Sequence, residues 1–335
     1  MIGFCPFDNI TIPCFCNTCI SVFINISDAS SISKLPGCVA LGLFDGLHLG
    51  HLRVIEDMLR LASEKSLAPT IFTFDLSRGF PCGKAGSGRL LSDEGAREIL
   101  SRMGARQLFR PAFEDFRDMP PRDFVLFLKE RLRAKQLVCG GDFRFGKDAA
   151  GTTDFLGKIC REIGMELHVS QAVLIGDKPV SSSMIRGLVS SGMIPQANSL
   201  LGREFFIDFE VTSGKKLGRK LGFPTINQHF PPDFTLPRFG VYATIAVVDG
   251  TLFPGVTNVG ITPTVSEDAQ VLAETHIQNF SGDLYGKRVK VRFLRFIRPE
   301  KKFPDIASLN AQIAQDVYTT YNIVEKYVSD QSAIT

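Results

Sequence analysis

The sequence predicts a molecule in two parts: an α/β half built on a parallel sheet wrapped by helices, then an all-β barrel followed by a single helix. Three observations predict it. Strand-type apolar runs alternate with helical periodicity through the first half of the chain. Past Arg186 the pattern changes to alternating strands separated by Gly and Pro turns. Near the C-terminus Leu309, Ile313, Val317, Tyr321 and Val324 fall at near-helical spacing between about Ile306 and Val328.

The first half opens with Val22, Phe23, Ile24 and Ile26 as a strand and residues 38–44 as a second, buried strand. Helical spacing of Leu49, Leu52, Val54, Ile55, Met58, Leu59 and Leu61 follows, and residues 69–74 return to strand, which completes a β-α-β unit. The unit recurs through helices at Asp93 to Arg102 and Pro121 to Arg133 and a strand at Gln136 to Cys139. Residues 76–90, rich in Gly and Pro, are expected to form a loop between units. A helical stretch from about Met184 to Leu201 leads into the β region at 205–295.

Composition excludes several classes. The 335 residues are 44% apolar and 22% charged, as in a soluble globular protein of two domains. A net charge of +3 is too small for a phosphate-neutralising surface, so no nucleic-acid partner is expected. No run reaches the roughly 18 apolar residues of a membrane helix, and no membrane partner is expected. The cysteines stand at 5, 14, 16, 19, 38, 82, 139 and 160, so no disulfide framework can span the chain and a reducing cytoplasm is the expected setting. Residues 1–20 make a poor signal peptide. They are expected to be a leader, with a metal clip at Cys5, Cys14, Cys16 and Cys19 as the lesser alternative.

Residues 42–51, Gly-Leu-Phe-Asp-Gly-Leu-His-Leu-Gly-His, place two imidazoles, His48 and His51, on the opening turn of a helix that follows a buried strand. Gly42, Gly46 and Gly50 admit close approach of a ligand, Phe44 and Asp45 complete the turn, and free N–H groups at the helix start suit phosphate. Asp45 as a plain N-cap and the histidines as a zinc pair remain alternatives. Ser181-Ser182-Ser183-Met184-Ile185-Arg186 sets hydroxyls ahead of a helix with an Arg in its first turn, and a Ser-capped surface helix is the plainer reading of it. Residues 140–146, from Gly140 through Asp142 and Phe145 to Gly146, follow a strand and so belong at the carboxyl edge of the sheet, where open α/β folds bind ligands.

In this order these three segments resemble the FMN adenylyltransferase module of bifunctional riboflavin kinase/FAD synthetases, a Rossmann-like nucleotidyltransferase fold. The resemblance implies that ATP and FMN become FAD and pyrophosphate, with His48 and His51 on the α/β-phosphates and Ser182, Ser183 and Arg186 on the phosphates. Where the family carries T-F-x-P-H-P, this chain has Thr73-Phe74-Asp75-Leu76-Ser77-Arg78.

Residues 211–227 set Gly214, Gly218 and Gly222 among the cations Lys215, Lys216, Arg219 and Lys220, ahead of Pro224-Thr225-Ile226-Asn227. Amides beside glycines wrap phosphates, and Thr225 and Asn227 offer hard oxygens of the kind Mg²⁺ prefers, although a solvated basic hairpin has the same charge pattern. Alternation puts Leu272, Glu274, His276 and Gln278 on one face of a strand. Glu274 is either solvent decoration or the carboxylate that an alcohol kinase needs. With Asn258, Asp283 to Gly286, Arg298 to Phe303 and Gln312 to Asp316, these residues resemble the riboflavin kinase module of the same family.

That resemblance implies a six-stranded barrel. It puts Thr225 and Asn227 on Mg²⁺-ATP, the glycine-rich turn and Pro224 on ATP, Glu274 as the base for the ribityl 5′-hydroxyl, and Asn258, Arg298 and Phe303 on the flavin. The domains expected are the adenylyltransferase at 21–187, a helical linker at 188–201 and the kinase at 202–330. A kinase with an inactive first module, and a flavin- or nucleotide-binding regulator without turnover, are the competing readings.

Overall fold

The computed structural model describes residues 24–26, 35–76, 88–213, 222–262 and 270–332. The leader, its four cysteines and Cys82 lie outside the described residues. The chain divides into two compact units whose boundary along the sequence falls between Ser182 and Ser183.

The first unit holds β1 (Ile24–Ile26), β2 (Gly37–Leu41), α1 (Leu49–Glu64), β3 (Ala68–Phe72), α2 (Asp93–Arg102), β4 (Gln107–Phe109), α3 (Pro121–Arg131), β5 (Ala134–Gly140), α4 (Thr153–Glu162) and β6 (Glu166–Ser170), then a hairpin of β7 (Leu174–Ile175) and β8 (Lys178–Pro179). Six strands form one all-parallel sheet in the order β1-β4-β3-β2-β5-β6. From β2 the chain steps outward to β3 and β4, then returns to the other side of β2 for β5 and β6. The strand order therefore reverses between β2 and β5. A crevice opens there at the carboxyl ends, because the crossovers on the two sides diverge.

Buried residues decide the layers. Leu52, Val54, Ile55, Met58 and Leu61 form the apolar stripe of α1. Val39, Leu41, Leu137 and Cys139 of the central strands pack with Val125 and Leu128 of α3 and Leu156 and Ile159 of α4. Phe72, Phe109, Phe116, Phe124 and Phe127 join that core, several edge to face at 5.0–5.6 Å between ring centroids. Such pairs add about 0.5–1.5 kcal/mol each to the area they bury.

The second unit, which also takes in Leu90–Ser92, begins within α5 (Ser182–Ser190), at Ser183, and continues into α6 (Ile194–Leu201). The single helical stretch expected over 184–201 is thus two helices. Gly192, at φ 76°, ends the first, and Pro195 starts the second where its missing N–H costs nothing. Six antiparallel strands follow: β9 (Phe205–Ile207), β10 (Thr225–His229), β11 (Gly240–Val248), β12 (Thr251–Thr262), β13 (Gln270–Ile277) and β14 (Lys290–Arg298). They pair in the order β10-β13-β12-β11-β14-β9.

The sheet curls into the expected barrel: the bridge of Glu210 with Arg288 extends the β9 side along β14, and the bridge of Thr212 with Asn227 joins that stretch to the other edge, β10. Gln228 is fully buried at this seam and donates through Nε2 to the carbonyls of Phe209 at 2.6 Å and Val289 at 2.7 Å. Inside the barrel, Thr244, Thr257 and Thr275 link hydroxyl to hydroxyl at 2.8 and 2.9 Å, satisfying polar groups that would each be costly if left alone. The terminal helix α7 (Ile306–Ser332) packs Val324 against Ile245 and Leu294 on the outer face.

Cys38, Cys139 and Cys160 are free thiols buried in the first unit. Burial pushes Cys38 and Cys139 up to about 12 and Cys160 to about 11. Mass-spectrometric mapping after treatment with an aromatic disulfide reagent at pH 8 should find these three positions unmodified in native protein and fully modified in denaturant.

Candidate functional sites

Leu41 pairs with Cys139, so the chain leaves β2 at Gly42 beside the Gly140 end of β5, at the reversal point of the sheet. The turn that follows is strained. Phe44 and Leu47 adopt left-handed φ of 44° and 43°, with Gly46 at 80° between them. A non-glycine residue held there costs of order 1–3 kcal/mol, and such strain collects where a fold serves a ligand. Two bonds keep the turn in place: Gly42 N–H donates to the Phe72 carbonyl at 3.3 Å, and Thr73 Oγ1 donates to the Leu43 carbonyl at 2.8 Å.

The N-cap of α1 is His48, not Asp45. Its Nδ1 accepts from the His51 amide at 3.3 Å, which leaves Nε2 as the protonated nitrogen of a neutral ring. The imidazoles of His48 and His51 stack at 3.6 Å between centroids, 20° from parallel, and Phe44 meets His51 edge-on at 5.4 Å. His48 is only 4% exposed. Gly50 lies close to this packing: a Cβ there would stand 3.2 Å from the His48 ring, which would have to give by a few tenths of an ångström.

Ser182, the first residue of α5, donates through Oγ to the Asp45 carbonyl at 2.9 Å, which brings this one hydroxyl to the histidine turn. Arg186 lies in the second turn of α5, not the first, since the helix starts at Ser182. Ser183 and Arg186 belong to the second unit. Asp142 is exposed in the turn after β5. Asp75, at the altered loop, pairs with Arg110 at 2.8 Å, and Arg110 reaches Asp93 at 3.0 Å. Ser77 and Arg78 lie outside the described residues. No described group of three or more His, Cys, Asp or Glu could hold a metal ion, so the zinc alternative finds no third ligand among the described residues.

In the second unit, strand pairing lines up a polar row. Asn227 of β10 pairs with Glu274 of β13, Glu274 with Asn258 of β12, Asn258 with Val241 of β11, and Val241 with Arg298 of β14. Paired residues project from the same face, so Asn227, Glu274, Asn258 and Arg298 share one side of the sheet. Ile245 has the same parity as Val241, so this is also the side that α7 covers. Asn227 Oδ1 is buried and accepts no hydrogen bond. A buried amide oxygen without a donor suits a hard cation, and Thr225 stands on the same face two residues earlier.

His276, the partner of Thr225, bonds the Pro224 carbonyl at 2.9 Å through Nδ1 and meets Phe223 edge-on at 5.4 Å. It holds the entry to β10, a role that the alternation of 272–278 exposes only once the neighbouring strand is known. Gly222, at φ 84°, closes the described side of the glycine-rich turn. Gly214, Gly218 and Arg219 lie outside the described residues. Asn258 Nδ2 donates to Glu300 at 3.2 Å, and the Arg298 guanidinium lies 5.8 Å from the Phe303 ring.

The model of the FAD synthetase family matches residues 32–184, and that of the riboflavin kinase family matches residues 201–324. Bifunctional riboflavin kinase/FMN adenylyltransferases are similar along most of the chain. The protein of Listeria monocytogenes is 30% identical over 300 residues, covering 89% of this chain and 94% of the relative. That of Bacillus subtilis is 33% identical, covering 83% and 89%, and that of Escherichia coli 32% identical, covering 86% and 94%. A crystal structure described as a macrolide-efflux protein from Streptococcus pneumoniae is 26% identical with a TM-score of 0.78, covering 89% of this chain and 98% of that one. No described helix of this chain is long and apolar enough to cross a membrane.

The packing at Gly50 yields a test. Gly50→Ala requires the His48 ring to give by a few tenths of an ångström, and misplacing a group that acts on reacting atoms lowers rate steeply, by about a hundredfold for a full ångström. FAD formation from supplied FMN should fall by roughly two- to tenfold, while FMN formation from riboflavin is unchanged; separate initial-rate assays by flavin chromatography check both.

Proposed function

The chain belongs to the bifunctional riboflavin kinase/FMN adenylyltransferase family, and on that premise we propose how its residues share two reactions. Its C-terminal part is a riboflavin kinase, transferring phosphate from ATP to riboflavin to give FMN, and its N-terminal part is an FAD synthetase, joining FMN to the AMP part of ATP with release of pyrophosphate. ATP and the flavins riboflavin, FMN and FAD are therefore its substrates and products. We assign the reactions to the cytoplasm, and the domains to 21–187 and 202–330 with the linker between them.

In the adenylylation step an oxygen of the FMN phosphate bonds to the α-phosphorus of ATP as the bond to the β-phosphate oxygen breaks. The nucleophile is already anionic at neutral pH, so the site needs no general base and its work is to stabilise charge. His48 donates from Nε2, fixed in that tautomer by its bond to the His51 amide. His51 stacks on it and adds a second donor beside the amides of the first turn of α1. Gly42, Phe44, Asp45, Gly46 and Gly50 shape the phosphate cradle, Gly140 and Asp142 form its opposite lip, and Ser182 contributes a hydroxyl.

In the kinase step the ribityl 5′-hydroxyl oxygen bonds to the γ-phosphorus of ATP as the bond to the β,γ-bridging oxygen breaks and ADP leaves, and the hydroxyl must lose its proton. Glu274 orients that hydroxyl and accepts its proton. Thr225 and Asn227 would hold Mg²⁺ on the ATP phosphates, where the ion neutralises charge and fixes the phosphates in place. The observation that carries this reading is the buried Asn227 Oδ1 without a donor, standing one strand from Glu274. Gly214, Gly218, Arg219, Gly222 and Pro224 wrap the nucleotide, and Asn258, Arg298 and Phe303 take the flavin.

Purified protein given riboflavin, ATP and Mg²⁺ should produce FMN and then FAD. Glu274→Ala should lower FMN formation by about 10²–10⁴-fold and leave FAD synthesis from supplied FMN intact. His51→Ala should lower FAD synthesis by about 10²–10³-fold and leave FMN formation intact. Loss of both reactions in either folded variant would exclude separate sites.

A further inference from the structure

Arg298 ends β14 in the cross-strand row that contains Glu274, and its guanidinium is held from behind. Nε donates to both carboxylate oxygens of Asp316 at 3.1 Å, and Nη2 donates to Asp316 Oδ2 at 2.7 Å. Nη1 donates to the Pro299 carbonyl at 3.1 Å. Asp316 sits on α7 and is 2% exposed. One turn earlier on the same helix, Gln312 Nε2 donates to Asp316 Oδ1 at 3.0 Å. The carboxylate is thus itself oriented, and the fork it makes with Arg298 fixes the plane of the guanidinium.

The pairing changes what Arg298 can bind. A guanidinium has five N–H donors, and these bonds use Nε–H, one N–H of Nη1 and one of Nη2, leaving two N–H groups in a fixed plane. Asp316 also cancels the charge, so the pair presents donors with no net charge. That suits a neutral planar ring with in-plane carbonyl acceptors and does not suit a phosphate.

We propose that Asp316, anchored by Gln312, is a positioning residue of the riboflavin kinase site: it presets Arg298 as a neutral, planar donor for the carbonyl edge of the isoalloxazine ring. This rests on the reading above that Arg298 contacts the flavin. The test uses the full chain, with riboflavin affinity measured by flavin fluorescence without turnover, kcat and KM measured separately for riboflavin and ATP, and FAD synthesis from FMN as the control for integrity.

Asp316→Asn keeps the shape and removes the charge. It should weaken riboflavin binding and raise the riboflavin KM by roughly ten- to a hundredfold, with the ATP KM within about twofold of wild type. Gln312→Leu leaves the ion pair in place and should give a smaller shift of the same kind; it decides the matter if Asp316→Asn does not fold. Unchanged riboflavin affinity in these variants, or an equal rise in the ATP KM, overturns the proposal. Arg298→Lys separates the two levels. If it leaves riboflavin affinity unchanged, Arg298 is not a flavin contact; if it weakens binding while Asp316→Asn does not, only the positioning role fails.

Discussion

Backbone pairing between strands is the constraint on which both sites depend, because it determines which side chains stand together before any of them does chemistry. In the parallel sheet, the Leu41 to Cys139 pairing aligns the two exits at Gly42 and Gly140. In the antiparallel sheet, residues 47 positions apart in sequence, Asn227 and Glu274, become immediate neighbours. A slip of one residue in β13 would turn Glu274 to the barrel interior, where Thr257 and Thr275 already exchange hydrogen bonds. Interior polar pairing therefore guards the register that the outer row requires.

The two sites use different means of fixing their donors. In the first unit the backbone itself is bent into left-handed conformations at Phe44 and Leu47, and the side chains that follow are stacked imidazoles. The strain is offset by bonds from neighbouring strands, through the Phe72 carbonyl and the Thr73 hydroxyl, and by burial of Leu47. In the second unit the candidate groups stand on strands, with the β11–β14 register shifting beside Arg298, and are oriented by side chains behind them: His276 behind Pro224, Glu300 behind Asn258 and Asp316 behind Arg298. A tight turn must supply its own rigidity, whereas a sheet lends it.

These differences explain how much was legible in the sequence. The helix and strand order of both units follows from periodicity, and the glycine-rich turn at 42–51 is recognisable because its residues are contiguous. The capping residue of α1 was not legible, because Asp45 and His48 are both plausible caps until the turn geometry selects the imidazole. The break between α5 and α6 could have been read from Gly192 and Pro195, which together interrupt an otherwise apolar helical stretch. His276, Thr73 and Asp316 stand out in the sequence, but what each of them holds was out of reach for a different reason. Each acts on a residue of another element, and only pairing between distant segments brings them together.

The seam of the barrel has a consequence for the chain outside any reaction. Strands β9 and β10 are the margins of an otherwise continuous ladder, and an open margin invites the backbone of a neighbouring molecule to add itself as a further strand. Gln228, on β10, grips the Phe209 carbonyl just past β9 and the Val289 carbonyl beside β14, tying the two margins to each other. A margin tied in this way has less bare backbone to offer an added strand.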